Sequence, residues 1–248
     1  MDDSQAPADG IRRDLMRQAA CVAGAMAAGT LWPAAAPAQT MDGALTRRYA
    51  RTQLVDASQR PLTSRQMAGA EPWLFHYPYR ATPVFVMALR RPPPSTDLTT
   101  HAQARYASPV GVGPTKSLVA FSAICAHKLV YPTPQISFIG VRPGAGAEPE
   151  RVIHCCADGS RYDATRGARV LGGPATQPLA AVLLEWDAAT DHVFAVGVQG
   201  GDLFHSFFEK YSFKLEMELG PQVRAESVGT TVAQPAAAFS RQRQSCSV

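Results

Sequence analysis

The chain of 248 residues is long enough to bury a core, as one large or two small domains. Its 24 Lys and Arg against 20 Asp and Glu leave a net charge of +4, and no basic run is interleaved with aromatics, which excludes a nucleic-acid partner. Twenty prolines and nineteen glycines, with few long amphipathic periods, favour short strands and loops over helices.

Residues 1–40 read as an export signal or anchor. Arg12-Arg13 is a twin arginine, Ala19 to Trp32 an apolar run, and Ala36-Pro37-Ala38 a small-x-small cleavage signature. The run is about 14 residues, short of the roughly 20 that cross a bilayer. It addresses the chain to the periplasmic side of the inner membrane, cleaved or retained.

Residues 41–116 supply the first strands and loops of a β domain. A polar lead-in over 41–70 turns at Gln59-Arg60-Pro61-Leu62, where proline pre-sets the backbone. Trp73 to Tyr79 and Pro83 to Leu89 are aromatic and β-branched and read as strands, followed by a Pro/Gly-rich loop over 91–115. Residues 117–200 continue the β pattern. Ser117 to Ile124 is a strand leading into Cys125, and Gln135 to Val141 and Arg151 to His154 are two more. Ala168 to Leu171, the turn Gly172-Gly173-Pro174, and a last hairpin of 180–186 and 192–198 about Asp187 to Asp191 complete it. Over 201–219, Leu203, Phe204, Phe207, Phe208 and Tyr211 have helical spacing, while Tyr211 to Leu219 alternates like a strand. The polar, small residues of 220–248 are expected to be a disordered tail.

Five cysteines occur, and Cys21 and Cys246 stand far from the rest with no expected structural role. Cys125, Cys155 and Cys156 cluster with histidine, which points to a metal site rather than a disulfide framework. Adjacent Cys155 and Cys156 cannot bridge each other without strain. A Cys-x-His pair answered by a second short ligand loop is how a binuclear iron–sulfur site is assembled, each loop giving a thiolate to one iron and an imidazole to the other. Here the two loops are 125–130 and 154–163. No Gly-x-Ser-x-Gly elbow supports a hydrolase.

Cys125-x-His127, Cys155-x-x-Asp158-Gly159-Ser160-x-Tyr162-Asp163, Gly173-Pro174-Ala175 and Leu179 resemble the Rieske iron–sulfur proteins of cytochrome bc complexes, over about residues 117–198. Trp32-Pro33 after the twin arginine extends the likeness to the N-terminus. The resemblance implies an all-β, antiparallel Rieske-type β-sandwich with a small two-loop cluster-binding subdomain between about 120 and 178. It implies a [2Fe–2S] cluster with Cys125, His127, Cys155 or Cys156, and Asp158 as ligands. Ser160 and Tyr162 would donate to a bridging sulfide and a ligand sulfur, and Pro174 would shield the cluster.

Two departures stand out. The family's inter-loop disulfide would fall at Val130 and Ala157, so both partners are absent and packing alone must hold the loops. The second imidazole's place holds Asp158, an anionic ligand that favours the oxidised cluster and lowers the potential. A register one residue later uses Cys156 and leaves Gly159 at the fourth position. His154 beside Cys155 on a strand faces the other way.

Three functions follow. The first is an exported one-electron carrier, passing electrons from a quinol-oxidising membrane complex or other respiratory partner to a cytochrome, with no substrate chemistry of its own. The second is a cluster-free structural subunit of the same fold, and the third a β domain stabilised by zinc on Cys125, His127 and two more residues.

Overall fold

The computed structural model of the chain describes residues 45–246, so the export segment expected over 1–40 lies outside the described residues. The first strands are β1 (Thr46–Val55), β2 (Trp73–His76), β3 (Pro83–Ala88), β4 (Asp97–Thr99), β5 (Arg105–Ala107) and β6 (Leu118–Ser122). Next come β7 (Ile136–Ser137), β8 (Ile139–Pro143), β9 (Arg151–Cys155), β10 (Arg161–Asp163), β11 (Arg169–Gly172), β12 (Ala181–Asp187) and β13 (His192–Gln199). Helix α1 (Phe204–Leu219) precedes β14 (Gly229–Val232), β15 (Gln234–Pro235), α2 (Ala236–Phe239) and β16 (Gln242–Arg243). The all-β, antiparallel class expected from the sequence is the class observed.

The centre shows why strands form where they do. All of β6, and all of β3 but its last residue, are buried. Successive side chains point to opposite faces, so a strand covered on both sides reads as a continuous apolar run. Val84, Val86, Leu118 and Ala120 enter one core, whereas Phe85, Met87, Val119 and Phe121 enter another. The main sheet runs β14–β1–β13–β12–β6–β3–β2–β15, antiparallel except for the β1–β14 pair. Over one face α1 seats Phe204, Phe207, Phe208 and Leu215 against Leu54, Phe75 and Val84. Over the other lies a smaller antiparallel sheet, β11–β10–β9–β8, whose Ile139, Ile153 and Tyr162 meet Phe85 and Phe121. The loops expected to bind metal leave from both layers, one after β6 and the other between β9 and β10.

Four segments differ from expectation. The polar lead-in contains a ten-residue strand, β1, because strand formation there rests on main-chain pairing to β13 and β14 rather than on apolar alternation. The loop at 91–115 holds the short β4–β5 hairpin. Helix α1 continues through the stretch that alternates like a strand, because Phe213 and Met217 face solvent while Leu215 is buried. The tail expected to be disordered is ordered to Cys246: β14 pairs with β1, β15 with β2 and β16 with β7. Polar contacts order it, including Thr231 Oγ1 to the His76 carbonyl (2.9 Å) and Ser240 Oγ to the Thr133 carbonyl (2.6 Å). Cys246, expected to have no structural role, forms a disulfide with Cys156.

The small sheet is braced by Glu148, which accepts from Arg142 at 2.6 and 2.9 Å and from Arg161 at 3.2 Å. The Arg142 hydrogen bonds, chiefly, hold the Glu148 carboxyl down at about 2. An acid with a depressed folded pKa adds stability above its unfolded value of about 4.3, and loses it as pH falls toward 2. Glu148→Gln should therefore flatten the acid limb of stability against pH between about 4 and 2, read by urea denaturation across that range. Phe207 is fully buried, edge-on to Tyr131 with centroids 5.0 Å apart, and Phe207→Ala should cost about 3–5 kcal/mol in the same assay at neutral pH.

Candidate metal centre

The first loop is a tight return after β6. The Cys125 amide donates to the Val130 carbonyl at 2.9 Å, and the Leu129 amide donates back to the Cys125 carbonyl at 3.0 Å. Leu129 closes it with a positive φ of 59°. This buries Cys125 completely and leaves the His127 side chain 40% exposed at the tip.

The second loop is the β9–β10 turn. The Cys155 amide donates to the Ser160 carbonyl at 2.9 Å and the Gly159 amide to the Cys155 carbonyl at 2.8 Å, with Gly159 at φ 75°. Asp158 Oδ1 accepts from the Ser160 amide at 2.9 Å, which aims Oδ2 across to the first loop. There Oδ2 lies 3.2 Å from Cys125 Sγ and 3.0 Å from His127 Nδ1. The ligand atoms of Cys125, Cys155 and Asp158 all lie within 4.8 Å of one another.

Strand alternation separates the three neighbours at the end of β9. Cys155 faces the core, while His154 turns the other way and accepts at Nδ1 from Arg142 Nε at 3.2 Å. Burial first, then the Arg142 and Arg161 cations, hold the His154 imidazole below its ordinary value. Cys156, expected as a candidate ligand, is corrected: its sulfur is bonded to Cys246 and holds no free thiolate. The free thiols among the described residues are Cys125 and Cys155, both buried. One signal for this was present in the sequence: adjacent cysteines at a strand end face apart, so whichever faces loop one leaves the other in need of a different partner.

A third loop closes the site. Gly173 has φ 88°, and a Cβ there would lie 2.5 Å from Ser160 Cα and 2.6 Å from the Gly159 carbonyl oxygen, so only glycine permits the approach. The Ala175 amide donates to Ser160 Oγ at 3.2 Å, and Pro174 beside it is exposed. Tyr162 is buried; its phenol oxygen accepts from the Ala126 amide at 3.1 Å and stands 3.5 Å from Cys125 Sγ. With that amide donating to the oxygen, the phenol hydrogen is free to point at the sulfur. Val130 and Ala157, where the bridging disulfide would fall, are both partly buried against the core that holds the two thiols.

The electrostatics are asymmetric. A hydrogen bond from Cys155, supported against burial by the Tyr162 phenol and the amides of His127 and Lys128, pulls the Cys125 thiol down from its ordinary value. The same bond, with burial, pushes Cys155 well up. Burial works to raise Asp158, but the Ser160 amide and hydrogen bonds from Cys125, Cys155 and His127 outweigh it and hold the carboxyl low. Two thiolates and a carboxylate cannot all ionise at these spacings without a cation among them, and a bound metal supplies that charge while displacing the thiol protons. The donor set, two sulfurs with an imidazole and a carboxylate, matches a [2Fe–2S] cluster in number and in three of its four donors, with the carboxylate standing where a second imidazole is usual. The spacing of the three buried groups also suits a single ion.

No family model matches the chain. Among solved structures it is similar to the soluble domain of the Rieske protein II (soxF) from Sulfolobus acidocaldarius, at 28% identity and a TM-score of 0.43, over 60% of this chain and 78% of that one.

Gly173→Ala should therefore cost more than the same change at a left-handed glycine with open space around it. Gly146, at φ 58°, has nothing within 4 Å of where a methyl would sit, so Gly146→Ala is expected to cost about 1–2 kcal/mol. Gly173→Ala adds a backbone clash and should exceed that, with the larger fall in Tm measured by thermal denaturation.

Proposed function

We propose that this chain is a one-electron carrier of the Rieske type, holding a [2Fe–2S] cluster on Cys125, Cys155, His127 and Asp158. The observation that carries this reading is the meeting of the two loops: buried sulfurs from both, with an imidazole and a carboxylate between them and solvent. When bound, the cluster supplies reversible one-electron chemistry, and the chain sets its potential and access. Tyr162, with its phenol 3.5 Å from Cys125 Sγ, is placed to offset extra negative charge on that sulfur. Ser160 holds the third loop through the Ala175 amide and keeps a hydroxyl hydrogen to donate. Asp158 brings an anionic ligand where the family has a neutral one, which lowers the potential below the family's usual range of about −150 to +300 mV. His127, at the exposed tip, is the side facing an electron-transfer partner, a cytochrome or a quinol-oxidising membrane complex.

Export to the periplasmic side belongs to the same reading. Its support is the Cys156–Cys246 disulfide, which persists in an oxidising compartment, together with the twin arginine of the N-terminal segment. Among the described residues no helix is long and apolar enough to cross a membrane.

A second reading, one zinc ion on the same residues, is favoured by the close spacing of Cys125, Cys155 and Asp158. Elemental analysis of the purified full-length chain separates the two. Two iron and two sulfide per chain with an EPR signal on reduction is the expected result. One zinc and no sulfide would replace it with the second reading, and folded protein without metal would leave a structural subunit.

Cys125→Ala and Cys155→Ala should each abolish iron binding, whereas Cys156→Ala should still take up iron on reconstitution, because that sulfur is committed elsewhere. Asp158→His should keep the cluster and raise its midpoint potential, and Tyr162→Phe should keep it and lower the potential, both read by redox titration followed by EPR. A loss of the cluster in Asp158→His would count against the ligand assignment.

A further inference from the structure

The two loops meet through hydrogen bonds but share no covalent bond, and each is also fastened to the segment that follows the β domain. On the first loop, Lys210 of α1 donates from Nζ to the Lys128 carbonyl at 2.8 Å. Tyr131, just beyond that loop, stacks edge-on against Phe207 and Tyr211 of α1 at 5.0 and 5.1 Å. On the second loop, the fastening is covalent. The chain beyond α2 runs as β16 parallel to β7, with the Gln244 amide donating to the Ser137 carbonyl at 2.9 Å, and ends the described residues at the disulfide from Cys246 to Cys156. Cys156 is one peptide bond from Cys155, and its own amide is tied to the Phe138 carbonyl at 2.6 Å, beside the same β7 segment.

We infer that residues 204–246 act as a clasp for the metal loops, and that the Cys156–Cys246 disulfide takes the place of a direct bridge by holding the second loop in its ligating conformation. Cys156 and Cys246 are thus positioning residues for Cys155 and Asp158. The physical reason is the absence of a covalent restraint between the loops themselves. Ser160, Asp158 and Gly159 hold the turn closed on itself, but with Val130 and Ala157 where a bridge would stand, the two tips are joined by packing and by the hydrogen bonds of Asp158 to Cys125 and His127 and of the Ala126 amide to Tyr162, with no covalent link. The disulfide closes a sequence separation of 90 residues and so removes much of the freedom of the tail relative to β9.

The tether is open to exchange. Both half-cystines line a groove of about 550 Å³ together with Arg142, His154, Arg241 and Arg243. A dithiol reductant attacks one sulfur as its thiolate; the S–S bond breaks, a mixed disulfide forms and the second reductant thiol resolves it. Two electrons and two protons pass from the dithiol to Cys156 and Cys246, which become thiols, while the reductant is oxidised to its disulfide. The second loop is then held by hydrogen bonds and packing alone. The inference deepens the proposed function by adding a redox dependence to the site, but its first test stands without any metal.

That test is amide hydrogen exchange on the full chain, with and without dithiothreitol, with disulfide opening verified by thiol counting. Reduction should speed exchange across residues 155–160 by about tenfold or more, while β12 and β13 keep their protection. The Cys156→Ser/Cys246→Ser double variant, which also prevents a freed Cys156 from entering the site, should exchange fast in both conditions. If that variant loses protection everywhere, it has unfolded, and the reduced natural chain decides. Unchanged exchange over 155–160 after verified reduction overturns the inference. A second arm measures the rate of metal loss to a chelator and rests on the metal-centre reading; reduction should raise that rate about tenfold. Loop exchange that responds to the dithiol in a chain purified without metal would refute the proposed function and leave the clasp standing.

Discussion

Three groups that repel one another when charged, the thiols of Cys125 and Cys155 and the carboxyl of Asp158, are held within 4.8 Å in a site whose two cysteines are fully buried. The fold keeps them there without a covalent bond between the loops that carry them. Protonation on Cys155, and hydrogen bonds from the Ser160 amide and His127, are what the chain itself can offer against that repulsion. A metal centre would answer it more completely, because a cation converts the mutual repulsion of the donors into attraction.

The rest of the architecture serves this juxtaposition. β6 is buried on both faces, so the strand that delivers Cys125 cannot slide without moving its apolar side chains out of one core and into the other. β9 is the central partner of β8 and β10, which fixes the register of Cys155 against Ile139. Gly173 lets the third loop lie directly on Ser160, and Ser160 in turn fixes Asp158 through its amide. The stiffness of two sheets is in this way passed to the tips of two hairpins.

How much of this could be read beforehand depended on what kind of force sets each feature. The strands that enclose the cores were visible, since burial on both faces writes itself as apolar runs at 83–89 and 117–124. Ligand candidates were visible as a Cys-x-His and a Cys-x-x-Asp-Gly-Ser-x-Tyr. β1 and the ordered tail were not, because backbone pairing and hydroxyl-to-carbonyl bonds order them, and such bonds leave no periodic trace in side-chain hydropathy. Helix α1 misled over its second half because its outward face carries Phe213 and Met217, apolar residues that its packing does not bury.

The amino-acid sequence by itself determined the all-β class, the two turns that carry the candidate ligands and the absence of both half-cystines expected to link them, because each depends on residue type and local spacing. Which of Cys155 and Cys156 faces the centre was decided only by the tertiary structure. That choice follows from the direction of a side chain at the end of β9 and from the arrival of Cys246, 90 residues further along the chain than Cys156. Contacts between residues so far apart are set by how whole sheets pack, and no local pattern of residues encodes them.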